Sequence, residues 1–298
     1  MRLLTLLIFL TLCFASISAQ NKPKKVSGKF ITGTIYRYKA FDSKFVGIGR
    51  RIVDVWLPAD YSKDKKYAVL YMHDGQNLFN PKDAVGGVEW GIDEILQNLI
   101  STKKVRETIV VAIWYSENRL KEFSPEKAFE YVNQRDAKQQ KYKMPPGKGS
   151  DNYLKFIVEE LKPFIDKNYS TLPDVENTFI MGSSMGGVMS LYAIIEYHEI
   201  FGGAACMSTH FSLGDGVMVD YMEQNLPAPK DHKIYFDYGT LGLDSEYKPY
   251  MIRADKALIK KGYKKDKNWK TIQFQGAAHD EISWRGRVDF PLMFLLGK

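Results

Sequence analysis

The sequence predicts an α/β fold built on one open, mostly parallel sheet with helices on both faces. Residues 67–72 and 108–114 are continuous apolar runs of strand length, which are typical of strands buried on both faces of a parallel sheet. Between and after these runs, apolar residues recur at the helical spacings of three and four. Strands that alternate with helices in this way imply βαβ units, and such units build parallel sheets.

An antiparallel hairpin is predicted ahead of the parallel part. Apolar and polar residues roughly alternate over 30–40 and again over 50–58, which is typical of half-exposed strands. The polar residues up to Lys66 close this unit, and the polar segment 21–29 before it is expected to be a loose arm. The remaining predicted strands are 177–182, 202–207, 233–238 and 269–274, and the predicted helices are 91–100, 150–167, 188–195, 247–261 and 288–296.

The length of 298 residues suits one large α/β domain. Residues 1–19 are typical of a secretory signal, because Arg2 is followed by an apolar core over 3–12 and then by small residues up to Ala19. That core is shorter than the ~20 residues of a membrane span, and no later stretch reaches that length. We therefore expect a secreted or periplasmic protein without a membrane span, in which residues 20–298 form a single domain.

Composition restricts the expected partners and cofactors. The formal net charge of +7 raises nucleic acid as a partner, but no nucleic-acid-binding module accompanies the scattered lysines. We therefore expect a solvated basic surface and no nucleic acid partner. Cys206 is the one cysteine beyond the predicted signal, so no internal disulfide is expected. No cysteine and histidine spacing typical of a metal site occurs, and we expect neither a metal nor another cofactor. Nothing in the pattern predicts an oligomeric state.

A Gly-x-Ser-x-Gly motif, formed by Gly182, Ser184 and Gly186, lies between a predicted strand and a predicted helix. In a nucleophile elbow the serine occupies such a turn with strained backbone torsions, and its hydroxyl group is exposed. The flanking residues are glycines because a Cβ atom there would collide with the neighbouring strand or helix. The motif in this context predicts Ser184 as a nucleophile. The alternative is a serine-rich turn that serves packing alone.

A serine nucleophile needs a base, and in this type of elbow the chain order is serine, acid, histidine. Four of the five histidines follow Ser184. His198 ends the helix after the elbow and is expected at the surface. His279 comes after the last predicted strand, at the edge of the sheet where ligand-facing residues gather, and we expect it to be the base. His210 also follows a strand and is expected to contact substrate or border the pocket. His232 precedes its strand and is expected at the opposite edge.

The acid is expected in the loop after the predicted strand 233–238. Asp244 lies beyond a flexible, glycine-containing segment of that loop and is the preferred candidate. Glu246, Asp237 and Asp215 are the alternatives. Asp244 also suits the cap of the following helix.

Backbone N–H groups are expected to bind the oxyanion that forms on the substrate. One belongs to Met185, the residue after the nucleophile, and the other belongs to the loop after an early central strand. In that loop Gly75 permits an unusual backbone path, and we expect Gln76 to provide the second N–H group. His73 directly precedes the loop and either fixes it by a hydrogen bond or takes part in the chemistry.

Together these motifs resemble the esterase D-like family of α/β-hydrolases. The family includes acetyl xylan and feruloyl esterases, enterochelin esterases and mycolyltransferases. The resemblance extends from about residue 50 to the C-terminus, and its motifs are specific as a set. The matching segments are 73–79, 90–93, Asn118 and Arg119 with Glu122 and Pro125, the serine elbow, 237–240 with 243–244, and 279–281 with Trp284 and Arg287.

The resemblance implies an α/β-hydrolase catalytic domain over residues 20–298. It implies a triad of Ser184, Asp244 and His279, with the oxyanion bound by the amides of Gln76 and Met185.

Further residues receive secondary roles from the same resemblance. Arg119 and Glu122 are expected near the site in support of its loop, and Arg119 and Trp90 are also expected, with His210, to contact substrate. Trp284 and Arg287 are expected to hold the loop of the catalytic histidine.

The predicted function is that of a secreted serine carboxylic ester hydrolase that removes an acetyl or feruloyl group from a carbohydrate. The partner is then a small-molecule or polysaccharide ester. The alternatives are an acyltransferase, a siderophore or peptide esterase, and a non-catalytic carbohydrate-binding protein. An insertion over 115–149 is expected to border the site. Its aromatic residues either stack on substrate or form a small core of their own: Phe123, Phe129, Tyr131 and Tyr142.

Overall fold

The computed structural model describes residues 22–29, 31–45, 47–128, 131 and 148–298. Within them a nine-stranded sheet has the strand order β1-β2-β3-β5-β4-β6-β7-β8-β9. The strands are β1 (Lys24–Val26), β2 (Thr34–Phe41), β3 (Arg51–Leu57), β4 (Ala68–His73), β5 (Thr108–Ile113), β6 (Thr178–Ser183), β7 (Gly203–Met207), β8 (Lys233–Tyr238) and β9 (Trp269–Gln273).

The first three strands are antiparallel, and the rest of the sheet is parallel. β1 pairs with β2, β2 with β3 and β3 with β5 in antiparallel register, whereas β5, β4, β6, β7, β8 and β9 form a parallel series. The mostly parallel sheet with an antiparallel N-terminal hairpin is therefore confirmed. The predicted half-exposure of β3 is wrong: all its residues except Ile52 are buried, because its apolar side chains pack into clusters on both faces of the sheet. The segment 21–29 contains β1 and is not merely a loose arm.

Helices follow most of the strands. The second half of the chain agrees closely with the predicted elements, but the helices Val217–Asn225 and Glu281–Arg285 were not predicted. In the first of them the apolar residues are nearly continuous and lack helical spacing. The helices are α1 (Ile92–Ser101), α2 (Arg119–Glu122), α3 (the consecutive segments Ser150–Lys155, Phe156–Leu161 and Lys162–Asn168), α4 (Met185–Glu196), α5 (Val217–Asn225), α6 (Lys248–Lys261), α7 (Glu281–Arg285) and α8 (Asp289–Leu296).

Apolar side chains cover both faces of the sheet. In β4, Val69 and Tyr71 belong to a core cluster that includes residues of α3 and α4. Leu70 and Met72 point into the opposite cluster with residues of α1 and α8. Each large apolar side chain buried in this way contributes roughly 1.5–3 kcal/mol. The two clusters explain why the strand is apolar throughout, and they confirm helices on both faces.

Loops at the carboxyl ends of the parallel strands meet along one edge of the sheet. The turn Gly75–Asn77 follows β4, Ser184 follows β6, and Ser208 follows β7. Asp244 follows β8, and His279 follows β9. Ligand sites of open α/β sheets form at this edge.

Some predicted features lie outside the described residues. These are the signal over 1–19 and two aromatic residues of the insertion, Phe129 and Tyr142. Phe123 is fully buried, and the ring of Tyr131 packs edge-on against Tyr221. These two rings serve packing, as one of the alternatives expected. No helix in the described part of the chain is long and apolar enough to cross a membrane.

Candidate active site

Ser184 occupies a tight turn between β6 and α4. Its backbone torsions are φ 55° and ψ −119°, which is a strained combination for a residue with a side chain. The turn requires glycine on both sides. A Cβ atom on Gly182 would lie 2.7 Å from the carbonyl carbon of Gly186, and one on Gly186 would lie 3.3 Å from Cβ of His73. The side chain of Ser184 is therefore presented at the carboxyl edge of the sheet, where it lines a cavity.

His279 lies between Ser184 and Asp244. Its Nε2 atom is 2.8 Å from Ser184 Oγ, and its Nδ1 atom is 2.6 Å from Asp244 Oδ1. The three residues come from three loops, after β6, β8 and β9. Along the chain, His279 is 95 positions from Ser184 and 35 positions from Asp244. A neutral imidazole that donates from Nδ1 to a carboxylate has an acceptor at Nε2 for the hydroxyl proton. The geometry thus permits the serine proton to pass to the histidine.

Asp244 is fully buried and accepts hydrogen bonds on both oxygens. Besides the contact with His279, its Oδ2 atom accepts from the Gly239 amide at 2.6 Å and from the Ser208 hydroxyl at 2.6 Å. Burial alone would raise the pKa of this carboxyl group, but the hydrogen bonds from His279, Ser208 and Gly239 outweigh burial and hold the pKa below its usual value. Among the candidate acids, Asp244 is the one that contacts His279; Asp215 accepts from Tyr250.

Ser208 links three buried side chains next to His279 by hydrogen bonds. This residue was not identified from the sequence. Its hydroxyl donates to Asp244 and accepts from Trp284 Nε1 at 3.0 Å and from Arg287 Nη2 at 2.6 Å. Arg287 also lies 3.2 Å from Asp237, which accepts from the Ser208 amide. The resemblance placed Trp284 and Arg287 beside the histidine loop, but no motif marked the serine that links them to the acid.

The turn Gly75–Asn77 lies beside Ser184 at the cavity. A Cβ atom on Gly75 would lie 2.6 Å from the backbone of Ala112, so the turn approaches β5 as only glycine allows. Gln76 lies in this turn, and Met185 is the first residue of α4, a position whose N–H has no acceptor within the helix. Gln76 lines the same cavity as Ser184.

Arg119 fixes the start of this turn through Asp74. The guanidinium donates from Nε and Nη2 to the two oxygens of Asp74 at 2.7 and 2.8 Å. Asp74 itself has a positive φ of 53°, so the pair holds a strained residue in place. Glu122 forms a buried ion pair with Arg51 at 2.6 Å and thereby anchors α2, which carries Arg119, to β3.

His73 and His210 lie near the site without contacting Ser184 Oγ. His73 is buried, its Nδ1 atom is 2.8 Å from the Tyr153 hydroxyl, and burial lowers its pKa to about 4. Its position favours the interpretation that it fixes the loop. His210 has its Nδ1 atom 3.0 Å from the Tyr247 hydroxyl, and its ring centroid is 6.4 Å from that of His279. Burial, aided by the charge of His279, lowers the pKa of His210 to about 4.

A substrate contact by Trp90 is ruled out by its burial. The side chain is 1% exposed and packs against Trp284, with ring centroids 5.8 Å apart. Burial against the ring of Trp284 keeps the ring of Trp90 out of water, and Trp90 thereby supports Trp284, which lines the cavity. His232 lies at the opposite edge of the sheet, as expected, where its ring packs edge-on against His198.

A cavity of about 300 Å³ opens above Ser184. Part of its wall comes from the turn Gly75–Asn77 through Gln76, from Val85, and from Tyr115 and Arg119 at the start of the insertion. The histidine loop contributes the opposite part: Glu281 and Trp284. In the part of the chain that the structure describes, no cluster of three or more side chains is arranged to hold a metal ion.

The sheet order and the serine elbow at its carboxyl edge define an α/β-hydrolase. The family model described as "Putative esterase" matches residues 48–285, and the chain belongs to that family. It is accordingly a carboxylic ester hydrolase.

Comparisons with individual proteins agree with this family. The chain is 23% identical over 257 residues to the uncharacterized protein YbbA of Bacillus subtilis (strain 168), across 84% of this chain and 94% of YbbA. It is 26% identical over 238 residues to an endo-1,4-beta-xylanase/feruloyl esterase of Xylanibacter ruminicola, across 78% of this chain and 27% of that protein. A ferulic acid esterase of Anaeromyces mucronatus has a similar structure, with a TM-score of 0.62, 20% identity, and coverage of 92% of this chain and 97% of that one. At this identity the structural similarity shows the fold.

Proposed function

We propose that the protein is a serine esterase in which Ser184, His279 and Asp244 form the catalytic triad. The observation that carries the proposal is the position of His279, which is within hydrogen-bond distance of both Ser184 Oγ and Asp244 Oδ1. The buried, ionised Asp244 orients the imidazole and stabilises the imidazolium that forms when the histidine accepts the serine proton.

The reaction proceeds through an acyl-enzyme. Ser184 Oγ bonds to the ester carbonyl carbon while its proton passes to His279 Nε2. The oxyanion accepts hydrogen bonds from the Gln76 and Met185 amides. For this proposed role we name the turn Gly75–Asn77 the oxyanion turn. The carbon–oxygen bond to the alcohol then breaks, and the alcohol takes the proton from His279. Water attacks the acyl-enzyme with His279 as base, which releases the carboxylic acid and restores the serine.

The cavity supports an acyl group with an apolar part. The acyl group stays on Ser184 beside the oxyanion turn, and two exposed apolar side chains border that part of the cavity, Val85 at 49% and Tyr115 at 41% exposure. An aryl acid such as a feruloyl group would cover both side chains, whereas an acetyl group would leave them in solvent. The relative described as an endo-1,4-beta-xylanase/feruloyl esterase supports this class of acyl group.

We propose a carbohydrate ester as the substrate and an exported location for the enzyme. Residues 20–298 would act as one catalytic domain after removal of the signal predicted over 1–19. Polysaccharide esters occur outside cells, so the predicted signal and the proposed substrate are consistent with each other.

Turnover of p-nitrophenyl acetate and methyl ferulate by Ser184→Ala tests the mechanism. We expect a loss of at least about 10³-fold in kcat on both esters. Ser101→Ala, an exposed serine at the end of α1, is the matched control and should behave as the wild type. Equal turnover by Ser184→Ala and the wild type would refute the assignment.

The acid is tested by a second matched pair. Asp244→Asn should lower kcat by about 10⁴-fold because it favours the wrong histidine tautomer, whereas Glu246→Gln in the same turn should retain activity. A large loss in Glu246→Gln alone would move the role of the acid to Glu246.

A further inference from the structure

Glu281 places a carboxylate in the cavity above Ser184. It is the first residue of α7, two positions after His279, and is partly exposed. It lines the cavity together with Ser184 and Trp284. The proposed triad does not use it, and the family motif described above gives it no role of its own.

The charge of Glu281 is not neutralised by a partner within the described residues. The nearby carboxylate of Asp74 is paired with Arg119 through two hydrogen bonds, but Glu281 makes no ion pair and no side-chain hydrogen bond with another described residue. Burial raises the pKa of Glu281, and the negative charges of Asp280 and Asp74 raise it further. A carboxylate in this position retains its capacity to accept hydrogen bonds from a ligand.

The position of Glu281 in the helix that follows the proposed base favours a role on the alcohol side of the site. The ester oxygen of the alcohol must reach His279 Nε2 to take its proton, whereas the acyl group remains on Ser184 beside the oxyanion turn. Glu281 belongs to the loop and helix that carry His279, and it is close enough for the two charges to interact. We therefore expect a group that contacts Glu281 to belong to the alcohol.

A rigid aromatic side chain borders the same part of the cavity. The indole of Trp284 is held by its hydrogen bond to Ser208, and its ring stands at 79° to the ring of His279 with centroids 5.0 Å apart. Trp284 is 5% exposed, and it lines the cavity together with Glu281, so the wall there combines a small apolar surface with a hydrogen-bond acceptor. This combination suits the C–H and O–H groups of a polyhydroxy alcohol.

We propose that Glu281 is an alcohol-side binding residue that accepts a hydrogen bond from a hydroxyl of a neutral sugar and disfavours anionic alcohols. This proposal rests on the proposed function, because it assumes that Ser184 and His279 perform the chemistry. A carboxylate that has no partner among the described residues repels a second negative charge in a partly desolvated pocket, so an ester of a uronic acid should bind less well than the ester of the corresponding neutral sugar.

Kinetics of Glu281→Gln on three acetyl esters test this assignment. The substrates are p-nitrophenyl acetate, methyl 3-O-acetyl-β-D-xyloside and methyl 3-O-acetyl-β-D-glucuronide. We expect KM for the acetyl xyloside to rise by about 10-fold, because the charged acceptor becomes neutral, while kcat/KM on p-nitrophenyl acetate stays within about 2-fold. The preference for xyloside over glucuronide should shrink by about 10-fold. Glu199→Gln, an exposed residue after α4, makes the same charge change away from the site and should alter none of these values.

Three results would overturn the assignment. An equal loss on all three esters would show that Glu281 acts on the protein or on the chemistry and not on the alcohol, and unchanged kinetics on all three would show that it contacts nothing. If the wild type cleaves p-nitrophenyl acetate but neither sugar ester, the proposal for Glu281 also fails while the serine mechanism stands. Failure of the mechanism itself is separate, since it would appear as full activity of Ser184→Ala on p-nitrophenyl acetate.

Discussion

Ser208 Oγ lies 2.6 Å from Asp244 Oδ2, so the carboxylate that contacts His279 is held from behind by a second serine. The same hydroxyl accepts hydrogen bonds from Trp284 and Arg287, and all four side chains are buried. One small residue therefore links the acid of the proposed triad to the helix that follows the histidine.

Ser208→Ala should lower kcat by about 10-fold and lower the free energy of unfolding by about 1–3 kcal/mol. The change removes a hydrogen bond that stabilises the ionised Asp244 and leaves two buried donors without their acceptor. Steady-state kinetics and urea unfolding measure the two effects. Ser170→Ala is the control, because Ser170 is a buried serine whose hydroxyl bonds to the carbonyls of Lys63 and Lys65; it should lower stability without lowering kcat. If Ser208→Ala retains full kcat, the carboxylate does not need this support.

Arg119→Lys should lower kcat/KM by about 10-fold. A lysine cannot reproduce the two parallel hydrogen bonds to Asp74, and the strained residue at the start of the oxyanion turn would lose its restraint. The loss should appear mainly in kcat, because the oxyanion forms in the transition state.

Arg253→Lys is the matched control for that change. Arg253 also pairs with carboxylates, those of Asp220 and Glu223, but it joins α5 to α6 away from the cavity. It should leave kcat/KM unchanged. If Arg119→Lys and Arg253→Lys had the same kcat/KM, the ion pair of Arg119 with Asp74 would not be needed for catalysis.

The buried His73 should make stability depend on pH. Burial lowers its pKa from the usual 6.5 to about 4 in the folded protein. Between these values the unfolded chain binds the extra proton, so the contribution of His73 is fully present above pH 6.5 and declines as the pH falls towards 4. The decline amounts to about 3 kcal/mol.

Urea unfolding of the wild type and of His73→Gln from pH 4 to 7 measures this dependence. Other groups titrate in both proteins and cancel in the difference between the two curves. We expect the wild type to lose more stability than His73→Gln as the pH falls. Parallel curves would show that His73 is not neutral in the folded protein.

Tyr115→Ala should raise KM for methyl ferulate by about 5-fold and leave acetyl esters within about 2-fold. Tyr115 lines the cavity on the side of the oxyanion turn, and its ring is exposed for contact with an aryl acid. Leu120→Ala, an exposed apolar residue on α2 outside the cavity lining, provides the comparison. If Tyr115→Ala left KM for methyl ferulate at the wild-type value, the result would argue against an aryl acyl group.

The fold and the serine elbow were predictable because they depend on local patterns. Buried parallel strands are apolar throughout, and the turn at Ser184 needs glycine at 182 and 186 for steric reasons that the sequence displays directly. The chain order of serine, acid and histidine then selected His279 and Asp244, which the structure places within hydrogen-bond distance of each other. Their catalytic roles remain a proposal.

Other features depend on contacts between distant segments and left no local pattern. No motif distinguishes Ser208 from the other serines. Its role in holding the acid depends on hydrogen bonds with Asp244 and Arg287, which lie 36 and 79 positions away in the chain. Trp90 belongs to a matching motif, but whether an aromatic residue faces substrate or core depends on how α7 packs over it. The carboxylate of Glu281 points to a substrate contact because it lines the cavity that contains Ser184, and the spacing of residues in the sequence does not predict that cavity.

The most direct test of the account is covalent labelling of the wild type with a fluorophosphonate, followed by peptide mapping with mass spectrometry. Such a reagent reacts with a serine whose hydroxyl is activated by a neighbouring base. We expect one equivalent of label on the peptide that contains Ser184, and no label in His279→Ala. A label on another residue, or full labelling of His279→Ala, would contradict the proposal that His279 activates Ser184.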